Sequence, residues 1–195
     1  MSQRPSGYDR KVRDRYETPE WVTEALLPHL PDYIAAIWEP ACASGRMVRA
    51  IEEACPGVHV WRTDIEPVGG YSARRDFLTQ DLLDEGMDVA FNGIDAIITN
   101  PPYDLATEFC DRALQLMERD RGVVAMLLRT DFDHARSRTH LFRDCPAFAK
   151  KLVLMRRIVW FTEADGKPKA SPSYNHCWMI WDWKHEGPPT IGYAP

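Results

Sequence analysis

The run Asn100-Pro101-Pro102-Tyr103 is the part of this chain best suited to chemistry. The Asn100 amide oxygen and the Pro101 carbonyl, held by two consecutive prolines, form a rigid pair of acceptors for an NH2 group. Tyr103 adds a flat face on which a planar ring can stack. These residues follow 94–99, a short apolar stretch that reads as a strand, and the prolines forbid its continuation. The acceptor pair therefore stands at a strand end. The plainer reading is a proline-terminated strand with an aromatic after it, and the features upstream weigh against it.

Upstream, Glu39-Pro40-Ala41-Cys42-Ala43-Ser44-Gly45 lies between a short strand at 36–39 and a helix from about residue 46 to 54. Small residues there let a ligand approach the backbone, and the helix that follows offers amide groups. Asp64 ends the next strand, 58–63, about 20 residues on, where an acid can grip the hydroxyls of a ribose. A nicotinamide dehydrogenase shows the same turn and acid. Residues 100–103 separate the two readings.

With those residues in place, the chain resembles the amino-methyltransferases of the adenine-N6 DNA methyltransferase family, whose motif is Asp, Asn or Ser, then Pro-Pro, then an aromatic. The resemblance extends over nearly the whole chain. It implies a Rossmann-like S-adenosylmethionine-dependent methyltransferase fold of class α/β, with S-adenosyl-L-methionine as cofactor and the exocyclic N6 of adenine as acceptor. Tyr16-Glu17-Thr18-Pro19 resembles the family's upstream cofactor motif, which implies cofactor contacts for Tyr16, Thr18 and Pro19. Residues 39–45 resemble the first strand motif, implying cofactor contacts for Glu39, Pro40, Ala41 and Gly45. Asp64 resembles the ribose acid, with Ile65 beside it, and Asp76-Phe77 resembles the pair that meets the cofactor's adenine. The strand ending Val159-Trp160-Phe161 resembles the motif that lines the target-base pocket, so Trp160 and Phe161 are expected on the substrate.

The implied mechanism is direct transfer. Acceptors on the hydrogens of the amine push its lone pair toward the sulfonium methyl, and positioning supplies most of the acceleration. A target in a duplex is first flipped out, to stack on Tyr103 and Phe161. Two departures stand out. Ala43 replaces the first glycine of the family's turn, which an alanine tolerates with negative φ. Sequence-specific members also carry a separate target-recognition domain, and this chain shows none, which points to a separate specificity subunit or a homo-oligomer. An RNA base or a protein glutamine fits the same acceptor pair, and a catalytically inactive nucleic-acid-binding module of the same fold is the reading from another class.

The elements that position these residues alternate. Thr18-Pro19-Glu20 reads as a helix start with Thr18 as N-cap. Strands at 36–39, 58–63, 94–99 and 122–128 alternate with helices at 46–54 and 105–118, and strand-like runs at 152–161 and 176–183 follow, joined by the polar loop 162–173. This pattern predicts a mostly parallel doubly wound sheet with an antiparallel strand at one edge. Residues 1–15 read as a basic arm, 16–183 as one catalytic domain and 184–195 as a tail of surface coil.

Composition bounds the rest. The chain has 195 residues, 45% of them hydrophobic, enough for one core, and a net charge of −5. No apolar run reaches the roughly 18 residues that cross a bilayer, and the polar start lacks a signal-peptide core, so a cytoplasmic protein without membrane contact is expected. Five scattered cysteines read as buried thiols, and Asp131, Asp133, His134 and His140 match no metal motif, so no metal is expected. Within 129–157, eight Lys or Arg stand against three Asp, and residues 1–15 are basic too. These segments are either solvated surface or faces that contact the phosphates of nucleic acid, DNA before RNA.

Overall fold

The computed structural model describes residues 16–79, 93–160 and 174–195. The basic arm at 1–15, Phe161 and the loop at 162–173 lie outside them.

Among the described residues eight strands form one sheet: β1 (Ala36–Glu39), β2 (His59–Asp64), β3 (Ala73–Arg74), β4 (Ala96–Thr99), β5 (Val123–Arg129), β6 (Phe148–Leu154), β7 (His176–Asp182) and β8 (Thr190–Ala194). Their order across the sheet is β3-β2-β1-β4-β5-β7-β6-β8. Of these eight, β7 alone runs against its neighbours, pairing antiparallel with both β5 and β6, while β6 and β8 are parallel. The antiparallel strand was expected at an edge and lies inside the sheet instead. Two strands beyond it, β6 and β8, cover that side.

Alternation along β5 and β7 builds a core on each face. Val124, Met126 and Leu128 join Cys177, Met179 and Trp181 on one face, under the helix α3 (Ala106–Asp120). Val123, Ala125 and Leu127 join Trp178 and Ile180 on the other, under α1 (Glu20–Glu24) and α2 (Arg46–Ala54). Strands buried on both faces need continuous apolar sequence, which β5 supplies. The two indoles of β7 keep their N–H groups satisfied: Trp178 Nε1 donates to the Val22 carbonyl at 2.8 Å and Trp181 Nε1 to the Leu141 carbonyl at 2.6 Å. The first bond ties α1, and with it Tyr16 to Pro19, to the centre of the sheet.

Helix α3 buries Phe109, Cys110, Ala113, Leu114 and Met117 in an i, i+4, i+8 pattern. It stops at Arg121, which takes a left-handed φ of 51°. Gly122 then has no room for a side chain, since a Cβ there would lie 2.7 Å from the Asp95 carbonyl oxygen.

Three local expectations are corrected. Helix α1 begins at Glu20 with Pro19 at its N-cap, and Thr18 makes no cap, because its hydroxyl is used elsewhere. Strand β6 is Phe148–Leu154, so Trp160 lies on an irregular segment after it; the pairing of 148–153 with β7 sets the strand, and Arg156-Arg157 fall outside. The tail at 184–195 is not all coil. Its residues Thr190–Ala194 form β8, with Met155 N–H donating to the Ala194 carbonyl at 2.9 Å. The short β3 was also not foreseen.

Candidate active site

The carboxyl ends of β1, β2 and β4 lie side by side, because β1 pairs with both of the others. This brings Glu39, Asp64 and Asn100 together from three distant parts of the chain.

Asn100 is half-buried and held through its nitrogen. Its Nδ2 donates to the Tyr16 carbonyl and to Thr18 Oγ1, both at 3.1 Å. An amide held through both N–H bonds has its oxygen turned the other way. Among the described residues, neither Asn100 Oδ1 nor the Pro101 carbonyl accepts a hydrogen bond. Pro101 is buried and Pro102 exposed, and the Pro102 carbonyl accepts the Leu105 amide at 3.0 Å, which starts the turn carrying Tyr103 into α3.

Tyr103 belongs to a closed ring of side chains. Tyr16 meets Tyr103 edge-on at 5.3 Å and Trp160 at 5.4 Å, and Trp160 meets His176 at 5.2 Å. His176 Nε2 and the Tyr103 hydroxyl close the ring with a 3.0 Å hydrogen bond. Burial, helped by the nearby charge of Arg129, holds the His176 imidazole down at about 4, so it is neutral at physiological pH. His176 was missed in the sequence, where it is the polar start of an apolar strand with no motif around it.

The turn after β1 is fixed by carboxylates. Ala41 N–H donates to Glu39 Oε1 at 3.0 Å, Ala43 N–H to Asp64 Oδ2 at 2.8 Å, and Ser44 N–H to Glu17 Oε1 at 3.3 Å. Ser44 Oγ also donates to Glu17 Oε2 at 2.6 Å, while the Cys42 and Gly45 amides bond the Thr63 and Cys42 carbonyls. All five successive amides of the turn thus have acceptors inside the protein, and those left are in the first turn of α2. Three carboxyl groups converge on the turn from different elements. Glu39 is held mostly protonated by its burial, so the negative charge at the turn comes from Glu17 and Asp64, which disfavour the pyrophosphate of a dinucleotide and suit a ligand carrying positive charge. Glu17 was seen in the sequence only as part of a motif; its contact across 27 residues needs the fold.

Glu39 is 1% exposed, and its Oε1 also accepts the Thr99 hydroxyl. Burial is the main cause of a carboxyl pKa pushed up to about 8, with the Asp64 charge adding to it and the bonds from Thr99 and Ala41 opposing. Asp64, 8% exposed, also accepts the Glu66 amide at 2.8 Å. Next to it Ile65 is 53% exposed, an apolar side chain left uncovered among the described residues.

Ala43 has φ 47°, so the negative value expected for an alanine there is corrected: the bond to Asp64 holds residue 43 in the left-handed region. Gly45 has φ 83°, and a Cβ on it would lie 1.8 Å from the Tyr71 ring, which packs directly on this glycine. Arg62 and Arg49 flank that ring at 4.6 and 5.6 Å.

Asp76 and Phe77 sit differently from each other. Asp76 accepts the Leu78 amide at 2.9 Å, and Phe77 is 3% exposed, wedged between Trp38 and Phe109 at 5.0 and 4.8 Å. The structure gives Phe77 a place in the core under the site.

No protein-family model and no curated protein sequence matches the chain. Solved structures do. A Listeria monocytogenes protein described as a class I S-adenosylmethionine-dependent methyltransferase superposes with a TM-score of 0.51 at 13% identity, over 82% of this chain and 58% of that one. An Agrobacterium tumefaciens protein described as an O-methyltransferase gives 0.55 at 13% identity, over 91% and 86%. The modification subunit of a type I restriction enzyme described from Vibrio vulnificus gives 0.53 at 17% identity, over 92% and 46%. This chain thus spans a little over half of the Listeria chain and under half of the Vibrio one. At these identities the likeness is one of fold: the chain has the Rossmann-like architecture of S-adenosylmethionine-dependent methyltransferases. Among the described residues no helix is long and apolar enough to cross a membrane, and no His, Cys, Asp and Glu cluster could hold a metal ion.

Proposed function

We propose that this chain is an S-adenosylmethionine-dependent methyltransferase acting on the exocyclic N6 amino group of adenine in DNA. The observation that carries the reading is the orientation of Asn100. Its nitrogen is tied to Tyr16 and Thr18, and neither its oxygen nor the carbonyl of Pro101, next in the chain, has a protein donor on it among the described residues. Fold alone does not choose an acceptor, since neighbours of the same architecture include a protein described as an O-methyltransferase.

The residues present fit the cofactor. Small residues line the turn at 41–45, Asp64 ends β2 with exposed Ile65 after it, and the Glu17 and Asp64 carboxyls favour a cationic ligand. Bound there, S-adenosylmethionine supplies an electrophilic sulfonium methyl. Asn100 Oδ1 and the Pro101 carbonyl each hold one hydrogen of the target NH2, which turns the nitrogen lone pair out of conjugation and toward the methyl. Tyr103 stacks on the purine, and Trp160 and Tyr16 bound the pocket at its sides. The proton that the methylated nitrogen gives up goes to water.

The test is acceptor labelling. The protein and an Asn100→Ala variant are incubated with methyl-labelled cofactor and DNA, RNA or glutamine-containing protein, and the acceptors are separated. Label on N6 of DNA adenine, reduced about 10²–10³-fold in the variant, is the expected result. Label on cytosine, RNA or protein alone, or equal labelling by both proteins, refutes it.

A further inference from the structure

The pocket is bordered by arginines that the amine chemistry does not use. Residues 174–176 tie two of them to it. His176 bonds Tyr103, Asn175 Oδ1 accepts Arg157 Nε at 3.0 Å, and the Tyr174 ring lies 3.8 Å from the Arg129 guanidinium carbon. Arg129 is also the register partner of His176 across β5 and β7. A third, Arg156, lies over the Trp21 ring at 4.6 Å, on the helix that starts just after Thr18 and Pro19.

Arg156 and Arg157 are exposed, as is Met155 before them, and Arg129 keeps 36% of its side chain exposed despite its 3.3 Å contact with Asp131. A guanidinium laid on an aromatic face is held in place while its edge N–H groups remain able to bind an anion. In a chain of net charge −5, two such groups and the exposed Arg157, held by Asn175, gather three positive charges near residues 174–176 and the start of α1. A glutamine side chain brings no anion to meet them. A polynucleotide brings one phosphate per nucleotide on each side of the base under attack.

We propose that Arg129, Arg156 and Arg157 form a phosphate-binding rim that grips a nucleic-acid strand around the target base. The rim rests on the reading of residues 100–103 as a base amine site, but it makes its own prediction, which is binding without regard to sequence. Such contacts hold a strand while leaving sequence choice to something else.

Fluorescence anisotropy of a labelled oligonucleotide, single-stranded and duplex, across a range of salt tests it, with S-adenosylhomocysteine present. Arg156→Ala and Arg157→Ala are each expected to flatten the slope of log affinity against log salt by about 0.7–0.9, the single-strand and duplex values per phosphate contact. The weakening should be equal for oligonucleotides with and without adenine. Arg156→Lys keeps the charge and should keep the slope, and cofactor affinity by calorimetry should be unchanged throughout, which separates rim loss from misfolding. Arg129→Ala completes the set. Unchanged slopes in the alanine variants, or no oligonucleotide binding by the wild type, overturn the rim. Altered slopes with no methyl transfer to DNA would leave the rim standing and remove the amine-methylation reading instead.

Discussion

Glu39→Gln keeps the size of the side chain and an acceptor oxygen for Thr99 and Ala41, and removes the titration. The glutamine NH2 stands where a protonated carboxyl has its O–H. Folding raises the Glu39 pKa from 4.5 to about 8, burial being the largest cause. The folded protein therefore keeps a proton that the unfolded chain gives up between those values. Stability from this group is fully present below pH 4.5 and is lost as pH rises toward 8. At about 1.36 kcal/mol per pH unit, the loss is about 3 kcal/mol at pH 7 and about 4 kcal/mol at pH 8, where the folded group is half titrated. Glutamine carries no such slope. The variant should match the wild type near pH 4.5 and become the more stable protein by a margin that widens with pH. Urea unfolding followed by tryptophan fluorescence at successive pH values measures that margin directly. A margin that does not change with pH refutes a protonated Glu39, and one of opposite sign would mean that the turn amide and the Thr99 hydroxyl hold the group as a carboxylate.

Three further outcomes follow from the geometry. His176→Ala removes the 3.0 Å bond that fixes the Tyr103 hydroxyl, and kcat should fall by about tenfold or more with cofactor affinity unchanged. Since the imidazole is held at about 4, the wild-type pH–rate profile should show no inflection from it above pH 5, and one near its ordinary value, abolished in the variant, would contradict its burial. Gly45→Ala places a Cβ 1.8 Å from Tyr71 on a left-handed backbone and should cost about 1–3 kcal/mol in thermal unfolding; pairing it with Tyr71→Ala should restore only the steric part. Ala43→Gly relieves the φ of 47° and should stabilise by up to about 1 kcal/mol, less what the more flexible unfolded chain takes back; a lower melting temperature would show that residue 43 is not strained.

The sequence by itself determined the alternation of elements and the chemistry at their ends. Proline at 101 and 102 stops β4 at the strand end where Asn100 is needed, and the unbroken apolar run of β5 demands a place buried on both faces, so both were legible locally. Helix α2 was legible too, because its boundary at Gly45 is a local conformational signal and its apolar spacing is helical. What the sequence could not determine were contacts between distant segments. Glu17 clamping Ser44 across 27 residues, Thr18 holding Asn100 across 82 and His176 holding Tyr103 across 73 leave no periodic trace, since each is a single polar residue whose partner the fold supplies. For the same reason β8 looked like coil and the antiparallel strand was expected at an edge. Strand pairing is decided by the neighbour that arrives, and only the tertiary structure brings Phe148 to Leu154 between the two.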